Sequence, residues 1–127
     1  MSSQGIPPER FLLFVELDEF ADDWEAIGLD RDIALWDLQN QIMSNPTVGA
    51  VVSGTGGLRK VRFGRTDQRI GKRGGVRVCY VHFPEHAVVL LIAAYGKNEK
   101  DDLTAAEKKA IRKYIDSARS WLERIKK

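Results

Sequence analysis

The run Ala87-Val88-Val89-Leu90-Leu91-Ile92-Ala93-Ala94-Tyr95 constrains this chain more than any other stretch. It is almost purely apolar, far short of the roughly 20 residues a membrane helix needs, and right for the central strand of a sheet. Two stretches before it supply partner strands. Val76, Val78, Tyr80 and His82 alternate with Arg77, Cys79, Val81 and Phe83 in a period-two pattern. Leu58, Val61 and Phe63 supply the apolar positions of an earlier strand, with the cations Arg59, Lys60 and Arg62 set between them. The connections are a Gly-rich loop from Gly64 to Gly75 and a tight turn at Pro84-Glu85-His86, so an antiparallel meander is the simplest topology.

The remainder of the chain reads as a leader, one further strand and three helices. Met1 to Arg10, with Gly5 and Pro7-Pro8, is expected to be a flexible leader. Phe11 to Leu17 predicts a strand buried on both faces. Asp18 is placed to cap a short helix over Glu19 to Ile27, with Phe20, Trp24 and Ile27 on one face. Gly28 ends it and Asp30 caps a second helix, whose apolar stripe of Ile33, Leu35-Trp36, Leu38, Ile42 and Met43 runs until Asn45-Pro46. A tight Gly joint between two helices reads as an αα-hairpin, and Trp24 and Trp36 as core packing rather than base-stacking platforms. Pro46 to Gly57, rich in Gly, Ser and Thr, leads into the sheet. Beyond it, Thr104-Ala105-Ala106-Glu107 has the form of a capping box. It opens a long helix whose apolar residues Ile111, Tyr114-Ile115, Ala118, Trp121-Leu122 and Ile125 recur every three or four positions. Lys108, Lys109, Arg112, Lys113 and Arg119 then face water or a partner, and the end of so long a helix is expected to project beyond a small sheet.

A chain of 127 residues fits one domain, and 43% hydrophobic with 30% charged residues is an ordinary soluble composition, neither disordered nor membrane-spanning. The N-terminus lacks the basic-then-apolar layout of a secretory signal. Cys79 is alone, which rules out an intrachain disulfide and makes a cytoplasmic location the simplest inference. Between Val78 and Tyr80 it reads as a core thiol. The net charge of +2 hides a segregation: residues 1–47 carry ten acidic side chains against Arg10 and Arg31, and the remainder holds the positive excess. Such asymmetry suggests one basic face for nucleic acid and an acidic face turned elsewhere. An acidic helical surface serving only solubility is the alternative.

The basic excess is concentrated. From Leu58 to Arg77 the cations are Arg59, Lys60, Arg62, Arg65, Arg69, Lys72, Arg73 and Arg77, against one anion, Asp67. Positive charge gathered on a strand–loop–strand unit is the footprint of a phosphate-backbone binder, although a solvated, charged hairpin would look the same. Known catalytic motifs are missing: there is no HExxH, no Cys/His ligand cluster and no Walker loop. His82 and His86 read as surface or structural residues. Gly54-Thr55-Gly56-Gly57 is followed by a strand, not by the helix that a phosphate cradle needs. Acidic residues abound, so two-carboxylate or metal-dependent nuclease chemistry stays open, although none of them falls among the basic strands in a way that singles it out. Beside it stands an option free of metal and cofactor. RNA carries its own nucleophile, the 2′-OH, so a cluster of Arg and Lys can neutralise the phosphorane, and a Lys among like charges can serve as base or acid. Many basic hairpins bind RNA without cutting it.

Three blocks in this order resemble the RelE/HigB toxins of bacterial type II toxin–antitoxin modules, the HigB branch in particular. They are Gly54-Thr55-Gly56-Gly57-Leu58-Arg59-Lys60-Val61-Arg62, then Gly71-Lys72-Arg73-Gly74-Gly75-Val76-Arg77-Val78-Cys79-Tyr80, then Tyr95-Gly96-Lys97-Asn98-Glu99-Lys100-Asp101-Asp102-Leu103-Thr104. The resemblance spans about residues 34 to 115, and implies a single α+β domain with an N-terminal helical hairpin packed on a small twisted antiparallel sheet, plus a C-terminal helix. It also implies a ribosome-dependent endoribonuclease that cleaves mRNA in the A site, inhibits translation and is neutralised by an antitoxin. Carried over by position, Arg62 would face the scissile phosphate, Arg77 would stabilise transition-state charge, and Lys97 and Asn98 would complete the pocket. Arg59, Lys60, Arg65, Arg69, Lys72 and Arg73 would hold messenger or ribosomal RNA. One departure matters: some family members place a catalytic Tyr just past the last strand, where this chain has Leu103-Thr104. The alternative is a non-catalytic RNA- or ribosome-binding module on the same fold.

Overall fold

The apolar run forms an inner strand of a five-stranded sheet in the computed structural model, which describes residues 6–64, 75–96 and 103–125. The strands are β1 (Leu13–Glu16), β2 (Ala50–Val51), β3 (Arg59–Phe63), β4 (Val76–Phe83) and β5 (Val88–Gly96). They lie in the order β1-β5-β4-β3-β2, with helices α1 (Asp18–Ile27), α2 (Ile33–Ser44) and α3 (Ala105–Ile125) on the two faces. β3, β4 and β5 make the expected antiparallel meander and β2 continues it. β1 joins β5 in parallel, Leu13 opposite Val88 and Glu16 opposite Leu91.

The two cores follow from strand alternation. On one face Val61, Phe63, Val76, Val78 and Tyr80 pack against Phe20, Trp24, Leu35, Leu38 and Ile42 of α1 and α2. On the other, Cys79, Val81, Phe83, Val88 and Leu90 pack against Ile111, Ile115, Ala118 and Leu122 of α3. The two helices of the hairpin therefore share one face and α3 covers the opposite one. Within the first core the Trp24 ring lies 5.4 Å from Phe20 and 5.7 Å from Phe63, and its Nε1 donates to the Asp30 carbonyl at 2.9 Å. Every polar and apolar part of that indole is thereby satisfied.

One irregularity reorients the end of β5. Cys79 pairs with Ala93 but Tyr80 pairs with Leu91, leaving Ile92 as an extra residue. Val89, Leu91 and Ala94 consequently join the first core, while Leu90, Ala93 and Tyr95 turn to the α3 side. The Ala94 N–H beside this bulge donates to Asp23 Oδ2 of α1 at 3.0 Å.

Local capping is largely as the sequence predicts. Gly28 ends α1 with φ of 94°, a left-handed conformation that glycine adopts without strain. Asp30 Oδ1 accepts the N–H groups of Asp32, Ile33 and Ala34, so it does cap α2. Thr104 and Glu107 exchange both bonds of the capping box, Thr104 N to Glu107 Oε1 at 2.9 Å and Glu107 N to Thr104 Oγ1 at 3.1 Å.

Three expectations are corrected. The first strand is not buried on both faces: it is a short edge strand, with Leu13 64% and Val15 41% exposed. A short, mainly apolar run says that a strand forms, not where in the sheet it sits. Asp18 lies inside α1 rather than capping it; Leu17 precedes the helix without a side-chain cap, and Asp18 and Glu19 act only through the positive end of the helix dipole. Trp36 is 55% exposed, because Leu35, Leu38 and Ile42 fix the inward face of α2 and its neighbour falls outside it.

Candidate nucleic-acid interface

Register brings the two strand arginines together. Arg62 of β3 stands opposite Arg77 of β4, and Arg77 opposite Tyr95 of β5. By alternation from Cys79, Val81 and Phe83, this row lies on the α3 face of the sheet. The next row on that face is Lys60–Cys79–Ala93. Arg62 is exposed and Lys60, Arg77 and Tyr95 are half-buried, so the row is open to a ligand at the β3 side. Cross-strand partners stand about 4.5–5.5 Å apart at Cβ, which sets two guanidinium groups within reach of one phosphate. Neither arginine forms an ion pair among the described residues. Gln41 of α2 donates its Nε2 to the Arg62 carbonyl at 3.3 Å and ties that strand to the helix behind it.

Arg59 has a different position. It lies opposite Tyr80, on the α1–α2 face, and its Nη1 donates to the carbonyls of Gly49 at 2.7 Å and Thr47 at 3.3 Å. The Tyr80 hydroxyl donates to the Pro46 carbonyl at 2.8 Å and accepts the Gly49 N–H at 3.0 Å. Together the two side chains clamp the loop that carries the chain from α2 to β2. Gly49 is pressed so closely here that a methyl group in its place would stand 3.0 Å from the Tyr80 ring and 3.1 Å from the Lys60 carbonyl. Of the two described cations expected to hold RNA, Arg59 and Lys60 thus occupy opposite faces, and Lys60 is the one that shares the face of Arg62 and Arg77. Lys97, Asn98, Arg65, Arg69, Lys72 and Arg73 lie outside the described residues.

The tyrosines separate by the same logic. Tyr80 is fully buried and its phenol pKa is raised, chiefly by burial, with the Gly49 hydrogen bond and Arg59 opposing. It is a structural group. Tyr80→Phe should cost about 1–3 kcal/mol, because the buried Gly49 N–H loses its acceptor; thermal denaturation monitored by circular dichroism checks this. Tyr95, the first residue of the third sequence block, joins the row of Arg62 and Arg77. The signal was present as the pairing of β4 with β5, but the bulge at Ile92 shifts it by one position.

Cys79 is buried opposite Lys60 in the β3–β4 register, and burial pushes its thiol up from 9.0 to about 11, with Lys60 opposing the rise and Asp23 adding to it. The thiol is therefore neutral throughout the physiological range, as a core residue should be. Iodoacetamide at pH 8 should modify Cys79 slowly in the native protein and rapidly after denaturation, as mass spectrometry would read. The linked stability runs the same way: between pH 9 and about pH 11 the unfolded thiol ionises while the folded one does not, so stability falls as pH rises through that window. His82 has its pKa lowered, first by burial and then by Arg59, with Glu85 opposing. His86, with its side chain 7% exposed, meets Glu123 at 3.1 Å and links the turn before β5 to α3. Neither imidazole belongs to the Arg62–Arg77–Tyr95 row. Among the described residues no three His, Cys, Asp or Glu side chains gather to hold a metal ion, and no helix is long and apolar enough to cross a membrane.

No family model matches the sequence. Among solved structures the chain is similar to the E. coli toxin RelE, determined as a doubly substituted mutant in the free state, with a TM-score of 0.51 and 16% identity over 83% of this chain and 97% of that one. The fold is RelE-like. At this identity the likeness concerns architecture: a sheet with its meander, helical cover and a C-terminal helix. The RelE-like sheet is the scaffold on which the Arg62–Arg77–Tyr95 row stands.

Proposed function

We propose that this protein is the toxin of a type II toxin–antitoxin module, a cytoplasmic, ribosome-dependent endoribonuclease that cleaves mRNA in the A site and is neutralised by a cognate antitoxin. The observation that carries this reading is the cross-strand row Arg62–Arg77–Tyr95 on a RelE-like sheet. The three sequence blocks of the HigB branch support it, since the first two supply β3 and β4.

The chemistry follows from what the row can do. The substrate 2′-oxygen attacks phosphorus as its proton passes to a general base, the bond from phosphorus to the 5′-oxygen breaks, and that oxygen takes a proton from a general acid; a Lys among these like charges can fill either role. Negative charge grows on the non-bridging oxygens between these steps. Arg77, in mid-sheet and opposite Arg62, is placed by its strand to offer a guanidinium fork to those oxygens, which is electrostatic stabilisation of the developing charge. Arg62 shares the charge from the exposed edge, and Lys60 one row away draws the backbone in. Lys97 and Asn98 follow directly on β5 and would complete the pocket, with Arg65, Arg69, Lys72 and Arg73 gripping RNA outside it. Tyr95 stands where a phenol can hydrogen-bond or stack on the substrate. The reaction so written needs neither metal nor cofactor and leaves a 2′,3′-cyclic phosphate and a 5′-hydroxyl.

Purified protein added to a translating extract should cut a message within codons at the stalled A site and leave the same message intact without ribosomes. Cleavage of naked RNA at equal rate would contradict the ribosome dependence. A second reading, a non-catalytic ribosome binder, is favoured by one observation: Leu103-Thr104 stands where some family members place a catalytic tyrosine. Translation arrest with an uncut message would select it.

A further inference from the structure

Helix α3 is two-sided along its length. Ile111, Ile115, Ala118 and Leu122 pack on the sheet. By the helical repeat, Lys108, Arg112 and Arg119 fall along one flank of that buried stripe, and Tyr114, Trp121 and Ile125 along the other. The cationic flank lies against the loop between β2 and β3. A methyl group at Gly54 would stand 3.5 Å from Lys108 Cδ, one at Gly56 3.4 Å from Arg112 Cγ, and one at Gly57 4.0 Å from Arg119 Nη2. The three glycines have φ of 82°, 81° and 129°, which side chains rarely adopt. Thr55, fully buried between them, fixes the loop by donating to the Val52 carbonyl at 2.6 Å and accepting the Leu58 N–H at 3.1 Å.

The aliphatic stems of Lys108 and Arg112 therefore rest on bare backbone while their charged ends reach solvent, as amphipathic side chains do. Two anions of α3 are committed elsewhere, Glu107 to the capping box and Glu123 to His86, while Asp116 meets the flank itself, 3.6 Å from Arg119, and offsets part of the charge at that end. Arg119 also lies over the Phe83 ring at 5.4 Å, which holds its guanidinium in place. Lys108 and Arg112 form no ion pair among the described residues. The loop runs through Leu58 directly into β3, so this line of charge is on the α3 face with Lys60, Arg62 and Arg77.

We infer that the flank formed by Lys108, Arg112 and Arg119 along the loop Gly54–Gly57 binds a stretch of RNA backbone outside the Arg62–Arg77–Tyr95 row. The inference rests on the reading of the protein as RNA-directed and adds a second contact surface to it. RNA backbone fits better than a protein partner because the flank is a line of cations without an apolar anchor. Protein interfaces centre on aromatic and apolar side chains, and α3 carries those on its opposite flank. From Lys108 to Arg119 the helix rises about 16 Å, long enough to track several phosphates.

The test is the salt dependence of binding to a single-stranded RNA oligomer and, separately, to ribosomal particles, for wild type, Lys108→Gln/Arg112→Gln and Lys109→Gln/Lys113→Gln. Circular dichroism confirms that each is folded. Loss of two backbone contacts should lower the slope of log K against log salt by about 1.4 on the oligomer for the first pair and leave it unchanged for the second. A fall seen only on particles would still support the surface and assign the backbone to ribosomal RNA. An unchanged slope in a wild type that binds RNA overturns this surface alone, as does an equal fall for both pairs. So does loss of affinity for an acidic peptide with the RNA slope intact. A wild type that binds neither RNA nor particles at low salt overturns the RNA reading as a whole.

Discussion

Arg77→Ala is expected to slow RNA cleavage by about two to three orders of magnitude, the usual consequence of removing one preorganised donor to transition-state charge. Its backbone bonds in β4 are unaffected and its half-buried side chain is no part of either apolar core, so the thermal midpoint should move little. Arg77→Lys should recover only part of the rate, because an ammonium lacks the planar fork that spans two phosphate oxygens. Single-turnover cleavage on stalled ribosomes would separate this from a loss of binding. If the variant bound more weakly but cut at the wild-type rate once bound, Arg77 would be a grip rather than a transition-state group.

The largest effect on stability is expected at Trp24. Trp24→Ala removes a fully buried indole with rings on two sides and a hydrogen bond to the Asp30 carbonyl. Large aromatic-to-alanine changes in cores cost about 3–5 kcal/mol, a large fraction of the total stability of a domain this size. The helical hairpin should detach from the sheet, and denaturant unfolding should show a midpoint near zero or no cooperative transition. Trp36→Ala, by contrast, should change stability by less than about 1 kcal/mol, because that indole is mostly in solvent. The comparison of the two tryptophans tests which face of the hairpin is buried.

Much of this architecture was written in local patterns. The apolar run before Tyr95 became β5, the alternation from Val76 became β4, and Thr104 with Glu107 closed the capping box, because each depends on residues a few positions apart. Asp30 and Gly28 were legible for the same reason. What was not legible depends on distant pairing. The placement of β1 at the parallel edge of the sheet is decided by which strand offers a free side, and no feature of Phe11 to Leu17 encodes it. The row of Arg62, Arg77 and Tyr95 depends on register, and the bulge at Ile92 moves Tyr95 onto the arginine face only because one residue is left unpaired. Arg59 looked equivalent to Lys60 in a basic strand. Alternation sent it to the opposite face, where the carbonyls of Thr47 and Gly49 occupy it. Trp24 and Trp36 illustrate the same limit within a helix hairpin: both have helical spacing to apolar neighbours, and only the inward face chosen by Leu35, Leu38 and Ile42 separates them.

Induced expression in bacteria, followed by primer extension on a translated message, tests the central claim most directly when wild type is set beside Arg77→Ala. Growth arrest with new 5′ ends inside codons for wild type, and neither for a folded Arg77→Ala, is the result predicted here. Arrest with an intact message, or cleavage undiminished by the substitution, would contradict the assignment of an endoribonuclease to the Arg62–Arg77–Tyr95 row.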